Sequence, residues 1–406
     1  MTVHATSPDG PVHWERMLAK RTQNMKSSAI RELLKITQLP DVISFAGGLP
    51  AAELFPVREI EEACHYLLRE EPKRALQYST TEGHPPLREF LAESMSKYGI
   101  QHTPHNILIT TGSQQALDLI GKIFIDPDTP VLTGRPTYLG AIQAWRAYET
   151  RFITVPLDDE GMIVDEVEPL VEKEHPRFIY VLPNFHNPAG TTLPEERRRR
   201  LVEIARKHDL IIVEDDPYGA LRYEGEDLTP IAAMAPERTL YLGTFSKTLT
   251  PGLRIGWIVA PAEIIARLVQ AKQGADLHSS TFDQMIANDV AQRGILKAHI
   301  RRIRQVYKER RDTMLDALSE FWPSECSWTR PQGGLFLWAR VPEQVNTQDF
   351  MQKALAKKVA YVPGNNFFPL NDGGFDAMRL NFSNAQPELI VEGVRRLGLA
   401  LKEELA

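Results

Sequence analysis

The stretch GTFSKTLTPGLRIG, residues 243–256, places a lysine just past a β-rich run and an arginine seven residues later. Thr239 to Gly243 is apolar with strong β-formers, whereas Ser246, Thr248, Thr250, Pro251 and Gly252 are loop formers. Lys247 therefore falls outside the C-terminal end of a strand, where open α/β sheets hold their ligands. A lysine in such a loop is ordinarily a solvated surface group. The company it keeps argues for chemistry instead: Lys247 as an amine able to form an imine, and Arg254 as a holder of an anion.

Outward from this stretch, residues 105–260 alternate short β-rich runs with longer helical patterns. NILITTG leads into SQQALDLIGKIFI, FIYVLP precedes EERRRRLVEIARKH, and LIIVED, TLYLGTF and RIGWIVA follow. That alternation predicts an α/β fold, a mostly parallel sheet flanked by helices, whose strands are apolar throughout because both faces are buried. Beyond residue 260 the pattern turns helical, with a charged amphipathic stretch from His299 to Phe321. GGLFLWARV, VAYVPG and MRLNFS then read as strands before a closing helix, PELIVEGVRRLGLALKEEL. We expect a smaller α+β C-terminal domain over 301–406, a large domain over 48–300 and an N-terminal segment over 1–47.

With 406 residues, 43% hydrophobic and 25% charged, the composition is that of a globular protein. A net charge of -6 argues against nucleic-acid binding. The basic run RRIRQVYKERR from Arg301 interleaves Ile303, Val306 and Tyr307 at helical spacing, as a solvated helix face does. Cys64 and Cys326 imply no disulfide framework and suit a reducing cytoplasm. No signal peptide is read in the first twenty residues, and runs such as FIYVL fall far short of the roughly 20 residues of a membrane helix. We expect a cytoplasmic protein with neither nucleic-acid nor membrane partners.

Several further positions fall at strand ends or helix starts. Gly112, Ser113 and Gln114 open a helix directly after a strand, where free N–H groups and a hydroxyl suit phosphate. Tyr138 in GRPTYLG sits in a turn and offers a ring for stacking. Asn187 precedes a proline in LPNFHNPAG, which directs its amide out of the strand's end. In IIVEDDPYG, Asp215 ends a buried strand and Tyr218 follows Pro217. Each taken alone has a plainer explanation, such as a helix cap, a turn residue or a buried aromatic. Two adjacent acids could bind a metal, but no His or Cys accompanies them at ligand spacing, and none is expected here. A carboxylate beside a pyridine nitrogen has the better rationale, since it keeps that nitrogen protonated and the ring an electron sink.

These motifs, with ISFAGGLP from 43 and ALQYSTTEG from 75, resemble the fold-type I pyridoxal-phosphate-dependent aminotransferases of class I/II over nearly the whole chain. Within that group the chain is most similar to the branch of 2-aminoadipate, kynurenine and aromatic aminotransferases. The resemblance implies pyridoxal 5'-phosphate as cofactor, L-amino acids and 2-oxo acids as substrates, and a homodimer with shared active sites. It gives Lys247 the catalytic role of holding the cofactor and moving the α-proton. It gives Asp215 the pyridine nitrogen, Asn187 and Tyr218 the phenolic oxygen, Tyr138 the ring face, and Ser113, Gln114, Ser246 and Arg254 the phosphate. Tyr78 reaches the phosphate of the neighbouring subunit. Arg379 takes the substrate α-carboxylate, a task that suits a planar guanidinium.

Substrate selection is expected from Gly48 in FAGGLP, from Asn187, and from a substrate-covering helix near the N-terminus. SSAIRELL begins like that helix, with Ser27 or Ser28 before Ile30, Leu33 and Leu34. Relatives specialised for 2-aminoadipate carry an arginine where this chain has Asn24, leaving Arg21 or Lys26 as the nearby cations. Aromatic or large apolar donors, received by Phe45 and Tyr138, with 2-oxoglutarate as acceptor, are therefore expected first. The alternatives are a lyase or decarboxylase on the same cofactor, or a ligand sensor. The sensor needs a DNA-binding module ahead of ISFAGGLP, where 42 residues stand.

Overall fold

The computed structural model describes residues 14–25, 41–98 and 102–406. β1 (Ile43–Ser44) stands outside the main sheet. That sheet has eight strands, β2 (Ile107–Thr111), β3 (Pro130–Arg135), β4 (Arg151–Asp158), β5 (Gly161–Met162), β6 (Phe178–Val181), β7 (Ile211–Asp215), β8 (Thr239–Thr244) and β9 (Ile255–Val259). Their order across the sheet is β2-β9-β8-β7-β6-β3-β4-β5. The pairs among β4, β3, β6, β7 and β8 are parallel, and β9 runs antiparallel between β2 and β8.

The apolar strands are divided by the two-residue period of the pleat. Leu108 packs with the helix α1 (Gly112–Phe124) and with α2 (Ala262–Gln273), while Ile107 and Ile109 join the core on the opposite face. Leu240 and Leu242 part from Tyr241 in the same way. Both faces are covered by helices, which is why the strands read as continuous apolar runs.

The long helix α3 (Ile295–Phe321) bridges two cores. Leu296 packs beneath the main sheet, whereas Ile303, Met314 and Leu318 pack with the C-terminal elements. There β10 (Ser327–Trp328), β11 (Phe336–Arg340), β13 (Val362–Pro363) and β14 (Ala377–Asn381) form an antiparallel sheet in the order β10-β11-β14-β13, covered by α4 (Pro387–Leu405). VAYVPG is not one strand. Val359–Ala360, β12, pairs in parallel with β1, and the chain changes partner at Tyr361 before β13 joins β14. Residues 43–46 thus pack against the C-terminal unit despite their early place in the sequence.

The helix expected from Ser27 or Ser28, with Ile30, Leu33, Leu34 and Lys26, lies outside the described residues. Among the described residues no helix is long and apolar enough to cross a membrane.

One buried arginine pins the loop that follows β6. Arg198 is fully buried and donates to the carbonyls of Leu193 (2.8 Å), Thr229 (3.0 Å) and Pro183 (3.0 Å) and to Asn184 Oδ1 (2.7 Å). Arg198→Met keeps most of the volume but orphans those acceptors. We predict a loss of about 3 kcal/mol, seen as a lower urea midpoint at unchanged denaturant slope.

Candidate active site

Sheet direction gathers the candidate residues on one edge. β2, β3, β6, β7 and β8 all end there, delivering Gly112, Tyr138, Asn187, Asp215 and Lys247. β9 runs the other way, so its start delivers Arg254 to the same edge.

Asp215 is buried at the end of β7, and burial pushes its carboxyl up to about 7, while the Tyr180 hydroxyl opposes the shift. That hydroxyl donates to Asp215 Oδ2 at 2.7 Å. Oδ1 is buried with no hydrogen-bond partner. The adjacent Asp216 is fully engaged as a structural acid, accepting from Asn184 Nδ2 (3.0 Å), Gly219 N (2.8 Å) and Tyr241 Oη (3.1 Å).

Lys247 Nζ donates to Gly48 O at 2.7 Å. Its pKa is lowered to about 8, first by desolvation and then by the nearby cations Arg379 and Arg254. Much of the amine is therefore neutral slightly above neutral pH, as a nucleophile or proton acceptor requires.

The turn from β2 into α1 forms a cradle. Gly112 has φ 72°, and a Cβ there would lie 2.5 Å from Arg254 Nη2. Only glycine allows both that conformation and the approach of the guanidinium. Gly256 on β9 likewise lets the strand pass against Ser113 N, which a Cβ would meet at 2.7 Å. The first-turn N–H groups of α1 have no intrahelical acceptors and face an exposed arginine, a combination suited to a phosphate. Gln114 Nε2 is engaged with Gly140 O at 2.9 Å, which leaves its backbone N–H for an anion. Ser246 is buried in the following loop, its Oγ accepting from Thr244 Oγ1 at 3.0 Å.

On the other side stands Arg379, in β14. It is buried, and desolvation lowers its pKa to about 10. It donates to Asn187 Oδ1 (2.9 Å) and Ala46 O (2.7 Å), lies over the rings of Phe336 (4.2 Å) and Phe367 (5.1 Å), and keeps a buried Nε without a partner. Asn187 Nδ2 in turn donates to Tyr218 Oη at 3.4 Å. Tyr138 is half-buried, and desolvation followed by the charge of Asp215 pushes its hydroxyl up to about 12.

Sequence reasoning missed three contributors. Tyr180 and Phe336 look like any aromatic in a buried strand, and nothing in the sequence marks the Ala46 carbonyl. One expectation is corrected: Phe45 is 0% exposed and packs into the C-terminal core against Gly393 rather than receiving a substrate side chain. Tyr78 is 79% exposed, touching His278 edge-on at 5.8 Å. Asn24 closes the turn Lys20–Asn24, and its side chain is not among what is described.

The donor set fits pyridoxal phosphate. The orphaned carboxylate oxygen suits a protonated ring nitrogen, the glycine cradle beneath Arg254 suits a phosphate, and a partly neutral lysine stands near both Arg254 and Arg379.

Comparison with known proteins agrees. The family model for aminotransferase class I and II matches residues 40–397. The chain is 50% identical over 399 residues to aromatic-amino-acid aminotransferase 1 of Thermococcus litoralis, covering 97% of this chain and 95% of that one. The crystal structure of the Pyrococcus horikoshii kynurenine aminotransferase, in complex with pyridoxamine phosphate and kynurenine, superposes with a TM-score of 0.93 at 44% identity, covering 97% of this chain and 99% of that one. The α-aminoadipate aminotransferase of Thermus thermophilus, complexed with N-(5'-phosphopyridoxyl)-L-leucine, superposes with a TM-score of 0.91 at 44% identity, again over 97% and 99%.

The raised carboxyl of Asp215 gives a signed prediction. Between about pH 4 and 7 the folded, unloaded protein holds a proton that the unfolded chain has lost, so the group costs stability as pH rises through that window. Asp215→Asn should stabilise the unloaded protein by roughly 2 kcal/mol or more at pH 8 and by little at pH 4, while weakening its hold on pyridoxal phosphate. Thermal unfolding at the two pH values, with a cofactor titration, checks both signs.

Proposed function

The chain belongs to the class I and II aminotransferases and uses pyridoxal phosphate, and from that membership we propose that it moves the amino group of an aromatic or large apolar L-amino acid to 2-oxoglutarate by a ping-pong mechanism. The observation that carries the proposal is Lys247, an amine with a pKa near 8 that donates to a carbonyl, Gly48 O, rather than to a carboxylate. A structural lysine in such a place would be ion-paired.

When bound, pyridoxal phosphate supplies a carbonyl carbon for the amino group and a ring that takes up the electron pair left at the α-carbon. The chain's own residues do the rest. Arg379 binds the α-carboxylate, its guanidinium plane set by Asn187, the Ala46 carbonyl and the two aromatic rings. Lys247 accepts the proton leaving the α-carbon and returns it elsewhere, and its neighbouring cations keep it neutral often enough to do so. Asp215 would keep the ring nitrogen protonated, Asn187 and Tyr218 would hydrogen-bond the phenolic oxygen, and Tyr138 would pack on the ring. Ser113, Gln114, Ser246 and Arg254 would hold the phosphate.

Substrate class is argued from both chain and relatives. Relatives named for aromatic amino acids, kynurenine and 2-aminoadipate align over nearly its full length. Asn24 brings no cation for a distal carboxylate, which favours the aromatic and apolar donors. We further propose a homodimer in which Tyr78 completes the partner's phosphate site. Exposed Leu76, Tyr78 and Leu277 support it: Tyr78 meets His278, the neighbour of Leu277, so these side chains gather in one apolar cluster, as an interaction surface does. Residues 48–300 and 301–406 act as large and small domains, and the N-terminal segment 1–47, whose end at Ile43–Ala46 packs with the small domain, supplies the substrate-covering part, in a cytoplasmic enzyme.

Given L-glutamate and no keto acid, the loaded enzyme should release one 2-oxoglutarate per site and lose the absorbance of its bound pyridoxal phosphate. Continuous release of carbon dioxide and the decarboxylated amine, with the absorbance of bound pyridoxal phosphate retained, would mean a decarboxylase instead. Lys247→Ala should fold and bind cofactor yet turn over at least about a thousandfold more slowly.

A further inference from the structure

Behind the first turn of α1 lies a polar cluster that none of these roles uses. Lys272, at the end of α2, is completely buried, a rare place for lysine. Its ammonium donates to Gln115 Oε1 (2.7 Å), to both oxygens of Asp276 (2.7 and 2.9 Å) and to Ser279 Oγ (3.0 Å). Gln115 Oε1 also accepts the backbone N–H of Thr111 at 2.8 Å, and Gln115 Nε2 donates to Asp276 Oδ2 at 2.8 Å. The Thr111 hydroxyl donates to Asp276 Oδ2 at 3.0 Å and stands 2.9 Å from Ser279 Oγ. Thr111 is thereby held by main chain and side chain alike, immediately before Gly112.

That grip matters because α1 starts without a side-chain cap of its own. An uncapped start leaves its N–H groups free for an anion, but it also leaves the turn without the hydrogen bond that usually fixes its entry angle. Gly112, in a left-handed conformation, adds backbone freedom at the same point. The cluster restores the constraint through Thr111 and Gln115, the residues that flank the N–H groups from Gly112 to Gln114. Lys272 is matched by Asp276, so what it contributes is position rather than net positive charge.

We propose that Lys272, together with Asp276, is a positioning group for the phosphate-binding turn, holding Thr111 and Gln115 so that the N–H groups from Gly112 to Gln114 face the cofactor's phosphate. The inference rests on the assignment of Ser113, Gln114 and Arg254 to that phosphate. A purely structural ion pair would support the fold without distinguishing a phosphorylated ligand from its parent, whereas a positioning group distinguishes them.

The test compares the affinities of the unloaded protein for pyridoxal phosphate and for pyridoxal, which has the same ring and no phosphate. Lys272→Met should weaken pyridoxal phosphate about tenfold, equivalent to one charge-assisted hydrogen bond out of place, and leave pyridoxal within about twofold. Should Lys272→Met alone fold poorly through the unpaired Asp276, the double variant Lys272→Met, Asp276→Asn removes both charges and carries the same expectation. An unchanged affinity ratio in a folded variant overturns the proposal, whether or not the melting temperature falls. Arg254→Ala separates the two failures. If it lowers the ratio and Lys272→Met does not, only this inference falls; if Arg254→Ala leaves the ratio intact, the phosphate assignment falls and the inference with it.

Discussion

Buried charge without ionic pairing governs this site. Asp215, Lys247 and Arg379 are brought to one edge of the sheet, and burial drives each toward its neutral form, to about 7, 8 and 10. None neutralises another. Asp215 accepts a phenol, Lys247 donates to a carbonyl, and Arg379 donates to an amide oxygen and a carbonyl. Such an arrangement opposes folding and persists only where the surroundings over-determine it. A ligand carrying a cationic nitrogen, an electrophilic carbon and anionic groups supplies what each lacks, so binding and folding are linked.

The surroundings do over-determine it. Charges just outside the pocket find partners: Arg198 reaches four acceptors, Asp216 takes three donors, and Glu214 accepts the N–H groups of Ile231 and Ala232 at 3.0 and 2.7 Å. The contrast within Glu214, Asp215 and Asp216 is informative. The pleat turns Glu214 to the face opposite Asp215, Asp216 folds back into the loop, and Asp215 alone keeps an oxygen without a donor. The acid proposed to serve the cofactor is the one of the three that the protein leaves incomplete.

Much of this was legible in the sequence because local rules and function coincide there. Strand–helix alternation, glycines before a helix and polar residues just past apolar runs all follow from the physics of a parallel sheet with a ligand at its carboxyl edge. What escaped depends on tertiary placement. The direction of β9 has no signature in composition, yet it decides that Arg254 and Lys247 share an edge. Tyr180 and Phe336 sit in runs where an aromatic is simply core, and Phe45 was expected in the pocket only because its neighbours are there. Lys272 and Asp276, four residues apart, have the spacing of an ordinary surface pair, and only the packing of α2 against α1 buries the lysine, while Asp276 stays exposed just past the helix end.

The segment Ala46–Gly48 shows how the fold sets chemistry by spacing alone. Ala46 O holds Arg379, and Gly48 O holds Lys247, two residues further along the same chain. A Cβ on Gly48 would come within 3.1 Å of Phe336, whose ring also supports Arg379 and meets Tyr218 edge-on at 5.9 Å. The proposed carboxylate holder and the proposed proton-moving amine are therefore tied to one short piece of backbone that is itself wedged against a core aromatic. In an α-amino acid the carboxylate and the departing proton belong to the same carbon. In the proposed reaction, the common anchoring of Arg379 and Lys247 on this segment would select the α-position before any side chain is read, leaving discrimination among side chains to the rest of the pocket.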